Sequence, residues 1–181
     1  MMPTISITRY WVEIFLFALC CFVAIITPML PMGLAADSTA FPDILYCLIV
    51  AWVIRRPATA PMILVVFLAL LADAMLMRPI GLWAVMLLIG TEVLRVGERT
   101  FRDIPFLLEW LYVSGLLVLL VLLQNLLLFA SFSDVPAGST SFWHVLRTIA
   151  VYPLIVAILH WVVRVRVPKR DVSPNRVGVI L

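Results

Sequence analysis

Charge is scarce in this chain. Of its 181 residues only 13% are Asp, Glu, Lys or Arg, while 65% are hydrophobic. Soluble domains carry about a quarter of their residues as charged side chains and show them to water. That composition excludes a water-facing globule. Histidine is scarcer still: His144 and His160 are the two present, far in sequence from Cys20, Cys21 and Cys47. No metal-ligand spacing results, and little is left for acid–base work. The three cysteines fall inside apolar runs and read as core residues. Catalytic motifs are missing as well: there is no nucleophile elbow, no His-Glu-x-x-His, no phosphate-binding glycine loop and no Asp-rich metal motif. An enzyme is not expected, nor is a cofactor. Internal repeats and low-complexity segments are also lacking.

What is present is apolar sequence in six runs, at 11–34, 41–54, 60–77, 80–94, 106–130 and 143–165. A bilayer core is crossed by about 20 apolar residues in a helix, and the mean hydropathy here is +1.16. The expectation is an all-α polytopic membrane protein: a compact bundle of six transmembrane helices in a single domain over 1–181. A short basic tail follows at 166–181. No soluble catalytic or nucleic-acid domain fits beside six spans. The first run has no small-residue cleavage site close behind a short apolar core, so it reads as a retained span rather than a signal peptide.

The positive charges set an orientation. Net charge is +3 and the isoelectric point is near 9.0. In a membrane chain such an excess reports topology and anionic lipid rather than nucleic acid. If the six runs alternate in direction, Arg9, Arg55, Arg56, Arg95, Arg99, Arg102, Arg164, Arg166, Lys169, Arg170 and Arg176 share one side, and Arg78 and Arg147 the other. Basic residues are retained in the cytoplasm during insertion, so both termini are expected there. The loops at 33–40 and 131–141, which lack Lys and Arg, then face outward.

Finer features follow from single residues. The second run, about 14 residues or roughly 21 Å as a helix, cannot cross a ~30 Å core unaided. Either neighbouring helices bury its outer end or the preceding loop dips into the bundle. Pro42 suits the first turn of that helix, and Asp43 its positive dipole end. Pro79 is expected to start the fourth helix and Gly81 to permit close approach. Pro153 should kink the sixth. Asp43, Asp73, Arg78 and Arg147 fall at one outer level and are candidates for a charge network that staples helix ends or forms a solute site. Glu92 with Arg95 and Glu98 with Arg102 have the spacing of helical ion pairs. Glu13 and Glu109 open their spans and suit helix N-termini. Gln124, Asn125 and His160 lie deeper, where polar side chains commonly bond a neighbouring helix.

The order of these features resembles one family, the bacterial rod shape-determining MreD proteins. The residues that carry the resemblance are Pro42-Asp43 opening the second span and Arg55-Arg56-Pro57 closing it. An aliphatic third span with Asp73 follows, and then Arg78-Pro79-Ile80-Gly81-Leu82. Length and span number agree over the whole chain. Ala72 departs from the pattern, since members of the family often carry glycine in the stretch before the aspartate. The fifth and sixth spans match in character only.

The resemblance implies a non-catalytic scaffold of the cell-elongation complex in the bacterial inner membrane. It implies MreC as the direct partner. MreB and the elongation glycan polymerase and transpeptidase would be reached directly or through MreC. Membrane lipids would be contacted and nucleic acid would not. It also implies a fold similar to the substrate-binding subunits of energy-coupling-factor transporters. In this reading Pro42, Asp43, Asp73, Arg78, Pro79, Gly81 and Arg147 are the structural and partner-interface candidates. Two other readings stand beside it. A vitamin-binding transporter subunit would need an outward pocket, for which Trp83 and Trp143 are the available walls. It would also need small residues spaced by four on the first span, where Phe15, Phe17, Leu19 and Phe22 stand instead. An intramembrane enzyme or lipid transporter would rest on Gln124, Asn125 and His160.

Overall fold

The structure, a computed structural model, describes residues 7–29, 41–77, 79–97, 104–131 and 138–162. Among them are six α-helices and no strand: α1 (Ile7–Ile26), α2 (Ile44–Arg55), α3 (Met62–Met75), α4 (Leu82–Val96), α5 (Phe106–Ala130) and α6 (Gly138–Val162). Short 3-10 turns at Thr27–Met29 and Pro57–Thr59 extend α1 and link α2 to α3. The basic tail and the loop at 33–40 lie outside the described residues.

Three helices are long and apolar enough to cross a bilayer: α1 continued to Met29, α5 and α6. Helices α2 and α3 are shorter than their apolar runs, and α4 is as long as its run but begins two residues later. Helix α3 has 14 residues and α4 has 15, about 21 and 23 Å at 1.5 Å per residue. The reason is local. Pro61 precedes α3, and the chain turns over between the two helices through Met77 at φ 53° and Gly81 at φ 90°. The apolar runs at 60–77 and 80–94 therefore contain turn residues that composition alone counts as span.

Helix α2 is the axis of the bundle. It has 12 residues, and Leu45 through Arg55 are all buried. It packs against α1, α4 and α6, while α3 packs on α4 and α1, and α5 on α4 and α6. A helix apolar on every side finds neighbours on every side. Phe17 of α1 packs on Trp52 with ring centres 5.2 Å apart and planes tilted by 47°, and Tyr46 and Trp83 pack at 6.4 Å with a tilt of 46°. Helix α5, equally aliphatic, is used differently. Leu116, Leu117, Leu120 and Val121 face the core, whereas Leu119, Leu122 and Leu126 are each 61% exposed. Its second face is apolar and exposed, as the lipid side of a membrane bundle would be. Helices α4 and α5 cross closely at Gly90, where a Cβ would lie 2.9 Å from a Leu120 methyl.

Pro153 does not end α6, which runs unbroken through it. Proline lacks the N–H that would bond the Ile149 carbonyl. The indole N–H of Trp110 on α5 donates to that carbonyl instead, at 3.0 Å. A lost intrahelical bond thus becomes a bond between helices.

Candidate functional site

Polar side chains concentrate at the two ends of the bundle. At the end where α2 begins, Asp43 is the N-cap. Its carboxylate accepts the Tyr46 N–H at 2.9 Å, and its own N–H donates to the Thr148 hydroxyl on α6 at 3.0 Å. Asp43 is 7% exposed, so neighbouring helices bury the N-terminal end of this short element. Pro42 stands one residue before the cap rather than in the first turn, because the chain becomes helical only at Ile44.

Asp73 does a comparable task from a distance. It is buried near the end of α3, and its carboxylate accepts the N–H groups of Gly81 at 3.0 Å and Ala84 at 3.2 Å. These are orphan donors at the start of α4. Gly81 carries no side-chain cap, so a carboxylate of the preceding helix supplies one. Gly81 is required for its positive φ; nothing lies within 4 Å of a Cβ placed there, so close approach is not its role. Pro79 lies ahead of the helix, its carbonyl accepting the Leu82 N–H at 3.2 Å. Arg78, between Met77 and Pro79, lies outside the described residues. Arg147 is exposed on α6 beside Thr148. The two carboxylates therefore cap different helices.

The opposite end holds a buried ionic site that spacing did not indicate. Arg55 donates to Glu109 at 3.0 Å, both side chains being 7% exposed. Tyr152 donates its hydroxyl to the same carboxylate at 2.6 Å. Arg55 also donates to the Ala51 carbonyl at 3.0 Å, at the negative end of its own helix. One carboxylate thus joins α2, α5 and α6. Beside it Arg56 pairs with Glu13 of α1. Arg95 reaches the carbonyls of Pro57 and Ala60 and pairs with Glu92 at 3.2 Å. Trp52 donates to Thr59 at 3.0 Å. The turn between α2 and α3 is held by side chains of α1, α2 and α4.

Glu13 and Glu109 are thus ion-pair partners for Arg56 and Arg55, rather than helix-end charges alone. The pairing joins residues 43 and 54 positions apart, and no local spacing encodes it. The one legible hint was that Glu13 and Glu109 open the first and fifth spans while Arg55 and Arg56 close the second. Glu98 and Arg102 lie outside the described residues.

No family model matches the chain, and no curated protein or solved structure does. The chemistry of the arrangement itself must therefore indicate a role. Among the described residues no three His, Cys, Asp or Glu side chains are grouped to hold a metal ion. Trp83 is buried against Tyr46, and its indole N–H has no acceptor among the described residues. Trp143 is half exposed next to Phe142 on α6. A cavity of about 470 Å³ opens between α4 and α5, lined by Glu92, Val93, Val96, Gly97 and Tyr112. It lies at the end of α4 that carries Arg95.

Proposed function

We propose that this chain is a non-catalytic membrane scaffold of the bacterial cell-elongation complex, of the MreD type. It would bind MreC and help couple the MreB filament to side-wall peptidoglycan synthesis. Its place would be the cytoplasmic membrane, crossed several times, with both termini inside. One observation carries the reading: the described residues among those that carry the family resemblance have architectural tasks. Asp43 caps α2, Arg55 anchors the buried pair with Glu109, and Asp73 caps α4 through Gly81 and Ala84. Arg56 and Pro57 shape the turn that Arg95 and Glu13 hold. Charges committed to holding helices in place make a rigid frame, and a rigid frame with long apolar outer faces suits partners that are themselves transmembrane. The transporter alternative draws no such support from Trp83, which is packed into the core.

Co-purification from native membranes in mild detergent, read by mass spectrometry, tests the proposal. Recovery of an MreC-like protein with wall synthases is expected. Recovery of paired ATPases with a second membrane subunit would replace it with the transporter reading.

A further inference from the structure

Helices α4 and α5 pack side by side but do not end together. Gly90 lies opposite Leu116 and Leu120, and near the end of α4 Val96 and Gly97 share a cavity with Tyr112. Tyr112 stands well inside α5, which begins at Phe106. These two contacts fix the register, and Glu92 falls level with Leu116, roughly 15 Å along α5 from Phe106 at 1.5 Å per residue. The Glu92 side chain is 44% exposed at that level. Its partner Arg95 is turned to the Pro57 and Ala60 carbonyls. Nearer its own start α5 presents Leu107, Leu108 and Leu111, which are 50–66% exposed. The two helices ask for different surroundings. Helix α5 has 25 residues, about 38 Å, and a ~30 Å hydrocarbon core centred on it would hold Glu92 about 10 Å below the core surface. A carboxylate at that depth is costly, and a short glutamate stem does not snorkel so far. Withdrawing the whole core to the level of Glu92 would instead strip hydrocarbon from the leucines that open α5.

We infer that the bilayer is stepped around this bundle. On the α4 side, the leaflet at the end that carries Arg55 and Arg95 is drawn in to Glu92. Phospholipid headgroups and their water occupy the cavity between α4 and α5, while hydrocarbon still covers the first turns of α5. Helices too short for a bilayer are accommodated by local thinning, and α3 and α4, at about 21 and 23 Å, are both short. Lipid fits this place better than another protein helix. Helix contacts within membranes are built on small or polar residues, and the exposed positions around Glu92 are Ile89, Val93 and Val96. A zwitterionic headgroup also brings an ammonium to pair with the carboxylate. The inference needs the bundle to lie in a membrane and is independent of the scaffold reading.

Nitroxide depth measurements on the full chain, in vesicles of phosphatidylethanolamine and phosphatidylglycerol, test this. One sample carries a nitroxide at Val93 of α4 and a second at Leu111 of α5, each introduced through a non-canonical residue that leaves the cysteines in place. Relaxation by oxygen marks hydrocarbon, and relaxation by a water-soluble nickel chelate marks the headgroup side. In a flat bilayer position 93 lies about 6 Å deeper than position 111. The expected result is the reverse order, with position 93 the shallower. Glu92→Leu removes the group that requires water and should move position 93 deeper by about 5 Å, one helical turn. Glu92→Gln stays polar and should hold most of the parent reading. Helical content and melting equal to the parent establish that each variant folds. A position 93 that reads deeper than 111, that is shielded from both relaxants by a second copy of the chain, or that does not move in Glu92→Leu would overturn the inference. None of these outcomes bears on which protein the scaffold binds.

Discussion

Replacing Glu109 by leucine is the severest single test of how this bundle is held. Arg55 and Glu109 are each 7% exposed, so the variant leaves a guanidinium buried without its counter-charge and the Tyr152 hydroxyl without an acceptor. Removing one partner of a buried pair costs about 3–5 kcal/mol. Arg55 keeps its bond to the Ala51 carbonyl and the favourable helix terminus, which places the expected loss near ~3 kcal/mol. That is a large part of a stability of about 5–15 kcal/mol. Tyr152→Phe removes one donor to a charged acceptor and should cost about 1.5–2 kcal/mol. The double variant Arg55→Met/Glu109→Leu removes both charges but still strands the Tyr152 hydroxyl, so it should return to within about 2 kcal/mol of the parent. Reversible unfolding in mixed micelles, followed by tryptophan fluorescence, measures these proteins together with Arg55→Met. If the double variant loses the sum of the two single losses, Arg55 and Glu109 are uncoupled and their pair does not hold α2, α5 and α6 together.

Four further outcomes are expected. Asp73→Ala strips the acceptor from two amide groups at the start of α4 and should lower stability by about 1–3 kcal/mol; MreC-type co-purification should be lost with it, and normal co-purification would count against the scaffold role. Gly81→Ala forces a Cβ into a positive-φ conformation and should cost about 1–2 kcal/mol in the same unfolding assay, although space is free around it. Gly90→Ala meets only the tip of Leu120 and should cost about 1 kcal/mol, whereas Gly90→Val should cost more than about twice that, read from melting in detergent. Trp110→Phe should cost about 1 kcal/mol in the parent and close to nothing in a Pro153→Ala background. There the backbone N–H restored at position 153 takes the Ile149 carbonyl, and a double-mutant cycle with no coupling would refute the exchange.

Much of this fold was legible because the helical signal is compositional. Each helix overlaps one of the six apolar runs, and Asp43 stands at the positive end of α2, as its place beside Pro42 suggested. Boundaries were less legible. Met77 and Gly81 are counted as apolar or neutral by any hydropathy measure, yet their backbone angles end one helix and begin another. Pro153 was legible as an expected kink, but the use of the freed Ile149 carbonyl by Trp110 was not, because that bond depends on which residue of α5 lies opposite. Asp73 was legible as a buried charge. Its ligands, the Gly81 and Ala84 amides, emerged only once the hairpin closed.

Composition and pattern by themselves determined that this is a helical chain with apolar spans, few charges and a lopsided distribution of arginine. The physical reason is that transfer of a helix into hydrocarbon depends on summed side-chain polarity, which is a local property. The partners of the charges were decided only by tertiary structure. Arg55 meets Glu109 and Tyr152, and Arg56 meets Glu13, because α2 sits at the axis and brings its last turn between α1, α5 and α6. A buried charge is stable only beside its complement. Across 54 residues of sequence that complement is chosen by packing rather than by spacing.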